Sequence, residues 1–196
     1  MNGIAPLKLE AVTGKTQVLL AAVRSKTGRL PNTFGILGNS TAALEGYLQF
    51  NAALAGGTLG MKVREQISLA VAEENECGYC LSAHTFYAAE AGLTEEDIAN
   101  ARHSVATVEK VDAVLKLTDS LLSKRGKVTD AELQAARAAG VTDGEIIEII
   151  GNVALNTFTN YLNLVAKPVV DFPEVEPDKS KYGGASCGCA APGSRQ

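Results

Sequence analysis

Three times from residue 94 onward the chain repeats one start signal: Thr94-Glu-Glu-Asp97, Thr129-Asp-Ala-Glu132 and Thr142-Asp-Gly-Glu145. In each, a threonine hydroxyl is spaced to accept the amide three residues on, and an acidic side chain at that position reaches back. This reciprocal pair satisfies the open N-terminus of a helix. Between the first two signals, Val108, Val111, Val114, Leu115, Thr118, Leu121 and Leu122 recur at helical spacing. No segment sustains the two-residue alternation of a half-buried strand. The expected fold class is all-α.

The first half reads the same way. Val12, Leu19, Leu20 and Val23 make an apolar stripe over residues 9–25, followed by Gly28. Arg29 to Asn32, with Pro31 inside, reads as a turn. After Thr41, the residues Leu44, Tyr47, Leu48, Asn51 and Leu54 keep helical spacing until Gly56 and Gly57 close the element. A further helix over 61–74 turns Val63, Ile67, Ala70 and Val71 inward, and another runs over 79–91 to Gly92. With no Trp and 5% aromatic residues, the core must be built from aliphatic side chains. A length of 196 residues suits one domain. That domain is expected over 1–172, with its central motif at 61–92. Pro168, Pro173, Pro177, Gly183, Gly184 and Gly188 then mark 173–196 as an irregular tail.

The helix over 145–166 is apolar around most of its circumference, which predicts a largely buried element. Asn152, Asn156, Asn160 and Asn163 share one of its faces. Buried amides need partners. They serve either as structural hydrogen bonds to loops or a neighbouring subunit, or as a polar wall of an active-site cavity.

A net charge of −4 with no basic run argues against a nucleic-acid partner. No window approaches the ~18 apolar residues of a membrane span, and no signal peptide opens the chain, so the expected location is the cytoplasm. Four cysteines form two tight pairs, Cys77/Cys80 and Cys187/Cys189. In a reducing compartment such pairs point to redox chemistry or metal binding.

Cys77-Gly-Tyr-Cys80 stands at a predicted helix start, where free amides and the helix dipole favour a thiolate. His84 lies one turn beyond Cys80 on the same face, a proton carrier suited to neutral pH. Two other readings stand beside a redox unit. A zinc site would lack a fourth ligand unless His103 or the tail cysteines supplied it. Inert buried thiols are the other, against which Glu73, Glu74, Asn75 and Glu76 predict a polar surrounding. His103 sits in a polar stretch and is expected to be exposed.

The run from Arg64 through Glu65, Cys77 and Cys80 to His84 resembles the signature of the alkyl hydroperoxidase D family, within the carboxymuconolactone decarboxylase-like superfamily. Leu30 to Phe34, Asn160 to Asn163 and Asp171 to Pro173 resemble its longer, peroxidase-related branch. The resemblance spans about residues 30–172. It implies an all-α bundle, homo-trimers or homo-hexamers, no bound cofactor, and thiol-dependent reduction of hydrogen peroxide or organic hydroperoxides. It implies Cys80 as the peroxidatic thiol, Cys77 as the resolving thiol, and Glu65 with His84 as a proton relay to and from Cys77. An external dithiol, such as a lipoyl- or thioredoxin-like protein, would restore the pair. On a continuous helix Glu65 would sit about 120° around from Cys77, so the chain must turn near Asn75 for them to meet. Tyr79 departs from the family pattern, which carries a second His there; a phenol of pKa ~10 cannot shuttle protons near neutrality. Decarboxylases of the superfamily lack the cysteine pair, so their reaction is not expected. General disulfide oxidoreductase activity, or a redox-sensing or metal-binding module, are the alternatives.

Cys187-Gly-Cys189 would close a small strained ring if oxidised, which makes for an oxidising disulfide. The pair is a candidate accessory shuttle to Cys77 and Cys80, with a soft-metal site or no function as its alternatives.

Overall fold

The computed structural model describes residues 3–178. Among them the chain makes a short 3-10 turn at Leu9–Ala11 and then nine α-helices, with no strand. These are α1 (Gly14–Thr27), α2 (Asn32–Leu37), α3 (Thr41–Ala55), α4 (Met61–Glu74), α5 (Gly78–Glu90), α6 (Glu95–Arg102), α7 (Glu109–Ser123), α8 (Asp130–Ala138) and α9 (Asp143–Ala166).

All three threonine signals form complete capping boxes, at the starts of α6, α8 and α9. Gly28 ends α1 in the left-handed conformation, φ 74°, where a side chain would be strained. Helix α4 is the axis of the molecule. Every residue from Gln66 to Glu73 is buried, and α5, α6, α7 and α9 pack around it. The main core gathers Ile67, Leu69, Val71, Leu81, Leu115 and Ile149, none above 1% exposed. A smaller cluster of Leu9, Leu20, Leu37 and Leu44 is set by the 3-10 turn and the first three helices. Gly151 lets α3 approach α9: a Cβ there would lie 3.0 Å from Leu54.

Three expectations change. Residues 32–37 are a helix, not only a turn. The first helix begins at Gly14, since residues 9–11 are 3-10 and Val12 is extended. The most instructive change is in α9, which is buried on one side only. Ile147, Phe158, Tyr161 and Val165 are exposed on its outer face. An apolar helix surface satisfies the periodicity whether its cover comes from its own chain or from elsewhere.

Residues 171–178 run over the start of α5 as a strap. The Ser82 hydroxyl accepts from the Val175 amide at 2.9 Å, and Arg102 donates to the Glu176 carbonyl at 2.9 Å. The first six residues assigned to the tail therefore belong with the folded body.

Candidate redox site between α4, α5 and α9

Helix α4 ends at Glu74, and Glu76 turns the chain with φ 52°. This sharp reversal lays α5 back against α4. Glu65, on α4, thereby meets His84, on α5: Nδ1 and Oε2 are 2.8 Å apart. A carboxylate only accepts, so it holds a hydrogen on Nδ1 and leaves Nε2 free to exchange a proton.

The sulfurs of Cys77 and Cys80 are joined as a disulfide, with their Cα atoms 5.3 Å apart. Cys77 is the N-cap of α5, and its sulfur accepts the Cys80 amide at 3.3 Å. Asn163 of α9 donates its side-chain amide to the Cys80 sulfur at 3.3 Å, and the Thr159 carbonyl lies 3.9 Å away. The polar surrounding predicted for the pair is not what forms. Cys77 is 1% and Cys80 3% exposed. The reason lies in Glu73, which turns inward to Arg102 at 2.7 Å and accepts the Asp178 amide, while Val175 and Pro177 pack beside Gly78.

A small cavity of about 80 Å³ opens on Cys80, bounded by Phe34, His84, Tyr87, Asn163 and Phe172. Cys77 is not among its lining residues. Behind it lies a second cavity of about 230 Å³. Phe34, Tyr47, His84 and Tyr87 line both, so His84 stands in the wall between them. Tyr47 is half-buried, and desolvation first and then the nearby Glu65 carboxylate push its phenol up to about 12.

Tyr79 is a structural tie. Its hydroxyl donates to Asp171 at 2.7 Å and accepts the Thr33 amide at 3.2 Å. The other Asp171 oxygen accepts the Asn32 amide at 3.0 Å, closing the start of α2. Arg29 donates to the Asp171 carbonyl at 2.6 Å and stacks over Phe172, 3.9 Å from its centroid. The segments around residues 30 and 171 thus form one roof above the cysteines.

The four asparagines of α9 serve as hydrogen-bond partners and as cavity walls, Asn152 as both. Asn152 and Asn160 accept from Arg64 and Asn75; Asn156 and Asn163 line the two cavities. Sequence reasoning gave no role to Arg64 or to Asp171 and did not single out Asn163. Only the shared face of the asparagines hinted at the last. His103 is exposed, as expected. Cys187 and Cys189 lie outside the described residues. Among the described residues no set of three or more His, Cys, Asp or Glu is arranged to hold a metal ion, and no helix is long and apolar enough to cross a membrane.

Residues 41–122 match the carboxymuconolactone decarboxylase family. No curated protein matches the sequence. Among solved structures, the chain is similar to an AhpD-core peroxidase-related protein of Ralstonia eutropha JMP134, at TM-score 0.76 and 21% identity, covering 87% of this chain and 93% of that one. A peroxidase-related protein of Silicibacter sp. TM1040 is similar at TM-score 0.75 and 18% identity, over 93% and 95%. The debrominase Bmp8, solved with 2,3,4-tribromopyrrole, is similar at TM-score 0.73 and 13% identity, over 86% and 91%. The family match at 41–122 falls on the helices that carry Glu65, Cys77, Cys80 and His84, and the chain has the all-α fold of these AhpD-core structures.

Proposed function

We propose that the chain is a thiol-dependent peroxidase that reduces hydrogen peroxide or an organic hydroperoxide at Cys80. One observation carries this reading: of two sulfurs already joined, that of Cys80 borders a cavity whose lining does not include Cys77, and the same cavity holds His84 with its Nδ1 fixed by Glu65. In the reduced protein the Cys80 thiolate attacks the peroxide oxygen and the O–O bond breaks. His84 protonates the departing alkoxide, leaving an alcohol (or water) and a sulfenic acid on Cys80. The Cys77 thiol attacks that sulfur, forming the disulfide and releasing water. An external dithiol, of lipoyl or thioredoxin-like kind, then supplies two electrons and two protons. The Asn163 amide and the start of α5 favour the Cys80 thiolate. The resemblance attaches the relay to Cys77; the position of His84 favours proton delivery at Cys80. Cytoplasmic homo-trimers or homo-hexamers, and an exchange role for Cys187 and Cys189, belong to the same proposal.

Stopped-flow thiol oxidation tests it. Cys80→Ser loses peroxide consumption, whereas Cys77→Ser completes one turnover and stalls as a sulfenic acid trapped by dimedone. A Cys80→Ser protein that consumes peroxide at the wild-type rate sinks the assignment. Replacing Cys187 and Cys189 together by Ser slows recycling by at least one reductant; equal turnover with every reductant removes the shuttle. Dehalogenation is a second reading, favoured by the aromatic lining of the Cys80 cavity. Release of bromide from tribromopyrrole by the reduced protein, without reaction with peroxides, would select it.

A further inference from the structure

The larger cavity contains a cation whose charge no ion pair answers. Arg64 donates Nε to the Asn152 side-chain oxygen at 3.2 Å and Nη2 to the Asn51 side-chain oxygen at 2.8 Å. Both partners are neutral carboxamides, and among the described residues Arg64 forms no ion pair. The two bonds fix the guanidinium plane against α3 and α9. A guanidinium carries five N–H donors; two are engaged here, so three are left for whatever enters the space beside it.

The charge around that space is lopsided. Lys26 stands at its rim, and Glu65 is the one carboxylate among its lining residues, already held by His84. Two cations against one committed carboxylate leave the cavity positive whether or not His84 is protonated. Val23, Phe34, Leu48 and Leu155 give the wall an apolar part, beside the hydroxyls of Thr27 and Ser68 and the Asn156 amide. A fixed guanidinium beside a partly apolar wall matches a small acid with a hydrocarbon body. Since His84 borders both cavities, a ligand anchored on Arg64 would extend past His84 toward Cys80.

We propose that Arg64 is a specificity-determining residue that binds the carboxylate of a small monocarboxylic organic hydroperoxide, whose peroxide end is presented to Cys80. The choice of substrate rests on the peroxidase reading; the carboxylate site itself does not.

Two measurements separate these. The first compares 4-hydroperoxy-4-methylpentanoic acid with its methyl ester as oxidants of the reduced full-length protein. The acid reacts faster in kcat/KM by about ten-fold or more, the size of a charge-assisted contact, and added salt narrows the gap. In Arg64→Gln the acid-to-ester ratio falls toward one; a purely structural role for Arg64 would lower both rates and leave the ratio. Arg64→Lys keeps a charge without the fork and gives an intermediate ratio, and it serves if the glutamine variant does not fold. The second measurement avoids redox chemistry: calorimetric titration of the disulfide form with 4-methylpentanoate and with 4-methylpentanamide. Binding of the carboxylate alone, lost in Arg64→Gln, supports the site. If neither hydroperoxide reacts yet 4-methylpentanoate still binds through Arg64, the site stands and the peroxidase reading falls. Equal rates for acid and ester in wild type, with no binding of 4-methylpentanoate, overturn the proposal.

Discussion

Tyr79 sits between the two cysteines, yet its hydroxyl is committed to Asp171 and to the Thr33 amide. Burial first, and then the bond to Asp171, drive its ionisation well above the ordinary phenol range. A group that resists ionisation in the fold but ionises near 10 when unfolded binds more protons in the native state. Its stabilising effect is complete below pH ~10 and is lost as pH rises through the folded value. Tyr47, at about 12, adds to the same effect. Urea midpoints are therefore expected to fall from pH 10 upward, and less steeply in Tyr79→Phe. At neutral pH that variant costs about 1–3 kcal/mol, because Asp171 loses its donor. At the same scale, Glu65→Gln weakens its hold on the His84 imidazole and slows peroxide consumption by about 10²-fold. Unchanged rates across pH 6–8 would count against the relay.

The reversal between α4 and α5 depends on a non-glycine residue in the left-handed region, Glu76 at φ 52°. Such a residue carries a penalty of about 1 kcal/mol that glycine avoids. Glu76→Gly should raise thermal stability, or leave it level against the entropy gained by the unfolded chain, while peroxide reactivity stays as it was. A large loss of stability would show that Glu76 does more than turn the chain. Elements of this size were legible where their signals are local. The three threonine boxes carry both partners within four residues, and the Cys80–His84 register needs only one helical turn. Helix α2 was not legible: its six residues start at a proline N-cap, and an amide at its start is satisfied by Asp171, 139 residues away. The burial of the cysteines was missed for a like reason. A run of Glu and Asn reads as polar until Arg102 and the residue 171–178 strap turn Glu73 inward. Arg64 carried no signal of its own, since its partners Asn51 and Asn152 come from two other helices.

Across the whole molecule, the outer face of α9 presents Ile147, Ile150, Phe158, Tyr161 and Val165, spaced by three, four or seven to eight residues like a helix-pairing seam. An apolar stripe of this length is uncommon on a chain that works alone. Replacing Ile147 and Val165 by Asp is expected to lower the mass found by sedimentation at micromolar concentration while leaving the helical circular dichroism in place. A wild-type protein that sediments as a single chain would instead assign the face to a different partner. The sealing of Cys77 reaches further than the fold. If Cys80 is the one sulfur that meets a cavity, oxidant and reductant use the same doorway and cannot occupy it together. Steady-state turnover should then follow a double-displacement pattern, with parallel reciprocal plots, and each reactant in excess should inhibit by occupying the doorway when the other is due.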